Sequence, residues 1–206
     1  MLHYETVEPS TLELLKYLQK CPGLEKMRLS GGTALALQVG HRKSLDLDFF
    51  GELSLDNDDL TKILEPHGKV KKIKKTTSIS VFLVNEIKVD FVQYNYPWLT
   101  AAVNEDGITL AGLMDIGAMK LAAITGRGRK RDFYDLYFLL RVYTLSQLVD
   151  FYNAKYNDGS EFMLLKSLNY FEDAEEDLDP ELVNPLPWKE VKEKITTIHR
   201  DYVQQA

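Results

Sequence analysis

The chain has 206 residues and a formal net charge of −6 at pH 7. That length holds one domain, or one domain with an appendage, around a core that needs no staples. The acidic balance excludes a surface coated in nucleic acid but allows a local basic groove.

A hydrophobic fraction of 45% and a charged fraction of 27% are ordinary for a globular chain. No apolar run approaches the roughly 18 residues of a membrane span, so no membrane association is expected. The start, MLHYETVEPS, lacks the basic and apolar regions of a signal peptide. Cys21 is the single cysteine, which rules out an internal disulfide and fits a reducing, cytoplasmic setting.

In chain order, STLELLKYLQK over 10–20 carries leucines 12, 15 and 18 at helical spacing, with Ser10 or Thr11 as cap and Cys21-Pro22-Gly23 as stop. LEKMRLS then reads as a short strand. Gly31-Gly32-Thr33 opens a second helix that Gly40 closes. Glycine lets a backbone approach a ligand closely, and the first N–H groups of a helix have no internal partner. A phosphate placed there meets donors and a favourable dipole, although a Gly-Gly pair alone equally suits a tight turn. Arg42 offers a guanidinium fork for a phosphate, Lys43 reads as a surface charge, and His41 is either a structural residue or a ligand.

Ser44–Phe50, SLDLDFF, alternates as a strand does, with Asp46 and Asp48 on one face. Their Cα atoms would lie roughly 6.5–7 Å apart. Carboxylates at that spacing can converge on divalent cations about 3.5–4 Å from each other. Strands disfavour Asp, and two acids on one face repel unless a cation lies between them.

Residues 55–65 follow as a helix that starts with acids. Lys69–Lys75, KVKKIKK, is a basic strand with Val70 and Ile73 inward; its lysines either contact RNA or phosphate, or protect a sheet edge. SISVFLV and IKVDFVQY form a strand pair around an Asn85-Glu86 turn. Asp90 sits mid-strand, where a lone carboxylate is costly unless it is metal-bound or paired with a nearby lysine.

Thr109–Gly112 leads into a helix over 113–125 that carries Lys120 among small apolar residues. That lysine is either a snorkelling surface residue or a phosphate clamp. GRGRKR, 126–131, is a basic turn suited to a nucleotide or an RNA backbone. Asp132 would cap the next helix, 132–143, and shares a face with Asp135. The pair is a cap plus an ion pair, a general base, or a holder of the reactive lysine. Helices follow over about 145–156, 160–171 and 188–204, and the acidic stretch EDAEEDLDPE, 172–181, reads as a mobile linker.

Gly31-Gly32-Thr33, Asp46-Leu47-Asp48 and Val89-Asp90-Phe91 together resemble the signature of the DNA polymerase β-like nucleotidyltransferases. GGTALAL, GHRKSLDLDFF and AMKLAAITGRGRKRDFYDLYFLL look more narrowly like the AbiEii/AbiGii toxin family within them. The resemblance covers about residues 25–142. It implies an α+β fold: a mixed sheet flanked by helices over 1–110, then a helical domain over 111–206 that completes the active site. By the same resemblance, Gly31, Gly32 and Thr33 cradle the triphosphate of an NTP. Asp46 and Asp48, with Asp90 as third acid, hold Mg²⁺ or Mn²⁺. Lys120 serves the nucleotide, and Asp132 or Asp135 acts as base or organises the site.

Arg42, Ser44, Arg127 and Arg131 complete the expected nucleotide contacts. The expected activity is transfer of a nucleotide to RNA, the tRNA 3′ end first among acceptors, by a toxin with an antitoxin encoded upstream. A protein hydroxyl as acceptor, of the AMPylation type, and a silent nucleotide-binding protein are the alternatives.

Overall fold

In the computed structural model, which describes residues 1–205, the chain divides into two compact units. One is Met1–Tyr96 with Ala101–Ala111, and the other is Pro97–Thr100 with Gly112–Ala206. The second unit thus takes four residues, Pro97–Thr100, from the middle of the first.

The first unit is built on one seven-stranded mixed sheet. Its strands are β1 (Met27–Ser30), β2 (Leu47–Gly51), β3 (Val70–Lys75), β4 (Ile79–Val84), β5 (Ile87–Gln93), β6 (Val103–Glu105) and β7 (Ile108–Leu110), in the order β3-β4-β5-β2-β1-β7-β6. β2 runs antiparallel to β1 and parallel to β5. Alternation divides the central strands cleanly. Leu47, Phe49, Val89 and Phe91 are buried, and Phe49 stacks on Phe91 with centroids 5.5 Å apart. Asp48, Asp90 and Lys88 take the other, half-exposed face. The short β6–β7 hairpin turns on Asp106, which adopts positive φ, and Gly107. Nothing in the periodicity of so short a pair announces it.

Three helices complete this unit: α1 (Pro9–Leu18), α2 (Gly31–Val39) and α3 (Asn57–Leu64). α1 starts at Pro9 and not at a Ser10 or Thr11 cap, since proline suits the first helical position and lacks only an N–H that would have no partner there. α2 ends as expected on Gly40 in the left-handed conformation. α3 is capped by the Asp56 carboxylate, which accepts from the backbone N–H groups of Asp58 and Asp59, and these donors hold its pKa below the usual carboxylate value. β3 corrects the expectation for its own strand. Ile73 is not inward but 51% exposed, because a bulge between Lys72 and Lys74 takes it out of the alternation.

The second unit is helical: α4 (Leu113–Gly126), α5 (Lys130–Leu139), α6 (Leu145–Lys155), α7 (Glu161–Leu168), α8 (Glu172–Glu175) and α9 (Trp188–Gln205). A capping box at Thr144 and Gln147 starts α6. The acidic stretch is not a free linker. Asp177 accepts from the Lys130 N–H at 3.0 Å, and Asp179 pairs with Lys130 at 3.3 Å. Glu175 accepts from Lys192 at 2.5 Å and from the Trp188 indole at 3.1 Å. Its carboxylates and carbonyls thus meet the cations that precede and open α5. No helix among the described residues is long and apolar enough to cross a membrane.

Candidate active site

The first unit's polar site begins at the junction of β1 and α2. Gly31 adopts φ +67°, and a Cβ there would run into the carboxylate of Asp48. A Cβ on Gly32 would run into the guanidinium of Arg42. The two glycines are therefore required by close approach of charged side chains as well as by the turn. No side chain caps the N-terminus of α2, so its first N–H groups have no side-chain acceptor from the N-cap Ser30. Thr33 is buried; its hydroxyl reaches Ser44 Oγ at 2.8 Å and also the backbone carbonyl of Asp46, tying the helix to the segment that enters β2. Arg42 is 5% exposed and donates to the Lys43 carbonyl at 2.8 Å. Ser44 is held by its N–H on the Thr6 carbonyl at 2.9 Å. His41 is buried.

The acids follow from the sheet register. Asp48 lies directly beside Asp90 across the parallel β2–β5 pair, and Ser30 lies beside Asp48 on the other side. Asp46 is not in the strand: β2 begins at Leu47, and Ser44 makes only an isolated bridge to Val7. Asp90 forms an ion pair with Lys88, two residues earlier on the same face. The alternative of a lysine partner for Asp90 is thus realised, and the alternating IKVD pattern is the signal that marks Lys88. One oxygen remains: Asp90 Oδ1 is buried and has no hydrogen-bond partner among the described residues. Two carboxylates in register, one with an unpartnered buried oxygen, fit a divalent cation, which would neutralise their repulsion. Among the described residues no group of three or more His, Cys, Asp or Glu is gathered as a metal cluster; sheet register sets Asp48 beside Asp90, and Asp46 stands just before the strand.

In the second unit, Lys120 is neither a snorkelling residue nor exposed. Its ammonium lies 2.8 Å from Asp132 and 2.6 Å from Asp135, with both carboxylates fully buried. Arg127 approaches the second oxygen of Asp132 at 3.6 Å. Asp132 is not the helix cap, because α5 begins two residues earlier at Lys130, after Arg129. Instead the three-residue spacing turns both acids to one side, where they grip the lysine. Arg127 and Arg131 are exposed, while Lys130 is buried and satisfied by the carbonyls of Glu175 and Asp177. The basic turn is therefore partly neutralised by the chain's own acids.

Comparison with known proteins agrees with this architecture. Residues 13–205 match the family described as "Nucleotidyl transferase AbiEii toxin, Type IV TA system". The uncharacterized protein aq_aa25 of Aquifex aeolicus (strain VF5) is 37% identical over 182 residues, covering 85% of this chain and 87% of that one. The crystal structure of JHP933 from Helicobacter pylori is similar with a TM-score of 0.55 at 20% identity, over 97% of this chain and 96% of the other. The antibiotic-resistance factor ANT(2'')-Ia is similar with a TM-score of 0.51 at 12% identity, over 70% of this chain and 91% of its own. The last two likenesses are of fold, and they bear out the mixed sheet followed by helices that the sequence implies.

Proposed function

The chain belongs to the AbiEii toxin family of nucleotidyltransferases, and from that premise we propose that it uses a divalent cation, Mg²⁺ or Mn²⁺, to transfer a nucleotide from an NTP to the 3′ end of an RNA, tRNA first among candidates. The observation that carries the reading is the registered pair Asp48 and Asp90, set against Gly31 at the start of α2.

Each residue has a physical task. The N–H groups at the start of α2, where no N-cap side chain bonds and Gly31 and Gly32 carry no Cβ, receive the triphosphate oxygens. Arg42, already held against Gly32, adds a fixed guanidinium to that cradle. Thr33 and Ser44 hold the Asp46 segment to the helix. Asp48 and Asp90, with Asp46 two residues before the first, would hold the cation. When bound, such an ion polarises the α-phosphate and lowers the pKa of an attacking hydroxyl. The acceptor oxygen bonds to the α-phosphorus as the bond to the departing pyrophosphate breaks, with loss of the hydroxyl proton. The protein's share is positioning and charge stabilisation.

Lys120 is read as the lysine that serves the nucleotide. Asp132 and Asp135 both act as its holders, since each touches its ammonium. The family implies an antitoxin partner and an NTP substrate; the cytoplasm, where RNA and nucleotides are at hand, is the setting for this activity.

The test is Asp48→Asn, incubated with total tRNA and each labelled NTP in turn. Transfer should fall to background while circular dichroism and Tm stay near those of the parent. Undiminished labelling by the variant would overturn the assignment.

A further inference from the structure

The five lysines of the 69–75 segment are not spread at random over β3. Register assigns four of them to opposite faces. Lys71 pairs with Leu83 and Lys74 with Val81. Lys72 pairs with Phe82 and Lys75 with Ser80. Ser80 in turn lies beside the buried Phe91, so Lys72 and Lys75 share the face of the apolar core. There Lys72 forms an ion pair with Asp58 of α3 at 2.8 Å.

The other two lead elsewhere. One row across the sheet reads Lys74, Val81, Asp90, Asp48, and the next reads Lys71, Leu83, Lys88. Lys71, Lys74 and Lys88 therefore share the face that carries the acid pair. Three strand spacings of about 4.8 Å put β3 roughly 14 Å from β2. Lys71 and Lys74 are exposed, and neither forms an ion pair among the described residues. On a chain of net charge −6, unpaired cations aligned on the face of the candidate site make a local attraction for a polyanion that the molecule as a whole lacks.

We propose that Lys71, Lys74 and Lys88 form a track for the phosphate backbone of a single-stranded RNA end, leading its terminal hydroxyl along this face of the sheet toward Asp48 and Asp90. This rests on the nucleotidyltransferase reading above and names the acceptor's route to that site. Lysines also protect sheet edges from pairing, and the bulged β3 is an edge strand. Edge protection, however, is indifferent to which face a lysine occupies, whereas a track is not.

The experiment compares two variants that remove the same charge from the same strand: Lys71→Ala/Lys74→Ala and Lys72→Ala/Lys75→Ala. Binding of a labelled single-stranded oligoribonucleotide to the full chain is followed by anisotropy over a salt series, with calorimetric binding of ATP in Mg²⁺ measured on each protein. The first variant should weaken RNA binding about tenfold and flatten the log–log salt slope by about 1.4, the value for two lost phosphate contacts on a single strand. The second should stay within about twofold, and ATP binding should be unchanged in both. Equal losses from the two faces, or no loss from either, would overturn the track while leaving the transfer reading standing, and a parent protein that binds ATP but not RNA would overturn the track and the RNA acceptor together. A parent that binds no ATP would overturn both.

Discussion

The two units each hold an ion pair that handles buried charge in its own way, and the two ways are opposite. In the second, Lys155 and Asp115 are both fully buried, 2.7 Å apart. Asp115 Oδ1 also accepts from the Leu99 N–H, and its Oδ2 accepts from the Thr100 N–H and hydroxyl. Lys155 donates further to the Pro97 carbonyl at 2.7 Å and lies over the Trp98 ring. Every oxygen of that carboxylate is used, and the pair fastens Pro97–Thr100 within the unit. In the first unit, the Asp90 side chain is 18% exposed, Lys88 is 41% exposed, and one Asp90 oxygen has no partner. A charge whose hydrogen bonds are complete stabilises one arrangement and has nothing left for a ligand. A charge with an acceptor unfilled carries a standing cost that a ligand can offset.

The largest expected effect sharpens the closed side of this contrast. Lys155→Met removes a partner from a buried carboxylate, which typically costs about 3–5 kcal/mol. Urea unfolding should show a loss of unfolding free energy of that size, a large share of a typical total of about 5–15 kcal/mol. Adding Asp115→Asn should recover part of it, because the amide keeps an acceptor without a buried charge. A drop under about 1 kcal/mol would mean that the pair is not the fastening described.

A smaller effect tests the open side. Lys88 and a bound cation compete for Asp90. Lys88→Ala should slightly lower Tm in chelator, since half-exposed pairs contribute at most about 1 kcal/mol. In saturating Mg²⁺ the variant's Tm should rise by more than the parent's, because binding to the native state no longer has to displace a lysine. Equal Mg²⁺ shifts in the two proteins would remove Asp90 from the set of cation ligands.

How far the sequence foretold these two behaviours follows from the range of the interactions. The glycine pair and the helix stop at Gly40 are local patterns, and the structure keeps them; of the two alternating acids it keeps only Asp48 in the strand, with Asp46 just before it. The neighbour of Asp48 was also within reach, because two strands each with one acid on the exposed face align when they pair. What could not be read was whatever depends on a distant partner. The Lys155–Asp115 pair spans 40 residues and neither member stands out locally. Asp132 follows a basic turn as a cap would, and only the packing of α4 on α5 reveals it as a holder of Lys120. The acidic 172–181 stretch reads as solvated because composition alone cannot tell that Lys130 lies under it. The bulge that turns Ile73 outward is a feature of pairing, not of the strand's own residues.

The smallest expected effect uses the same helix as the largest. α6 carries Lys155 at its C-terminal end and the Thr144–Gln147 capping box at its start. Thr144 Oγ accepts from the Gln147 N–H at 3.2 Å, and the Gln147 amide oxygen accepts from the Thr144 N–H at 2.9 Å. Thr144→Ala should therefore cost about 1 kcal/mol by leaving one helix N–H without its acceptor. Two substitutions at opposite ends of one α6 then separate helix-end energetics from buried-charge energetics. If charge burial governs this unit, the Lys155→Met loss in urea midpoint should exceed the Thr144→Ala loss by about threefold. Comparable losses would place the stability of the unit in the formation of α6 itself, and the contrast with the half-open site at Asp90 would then rest on exposure alone.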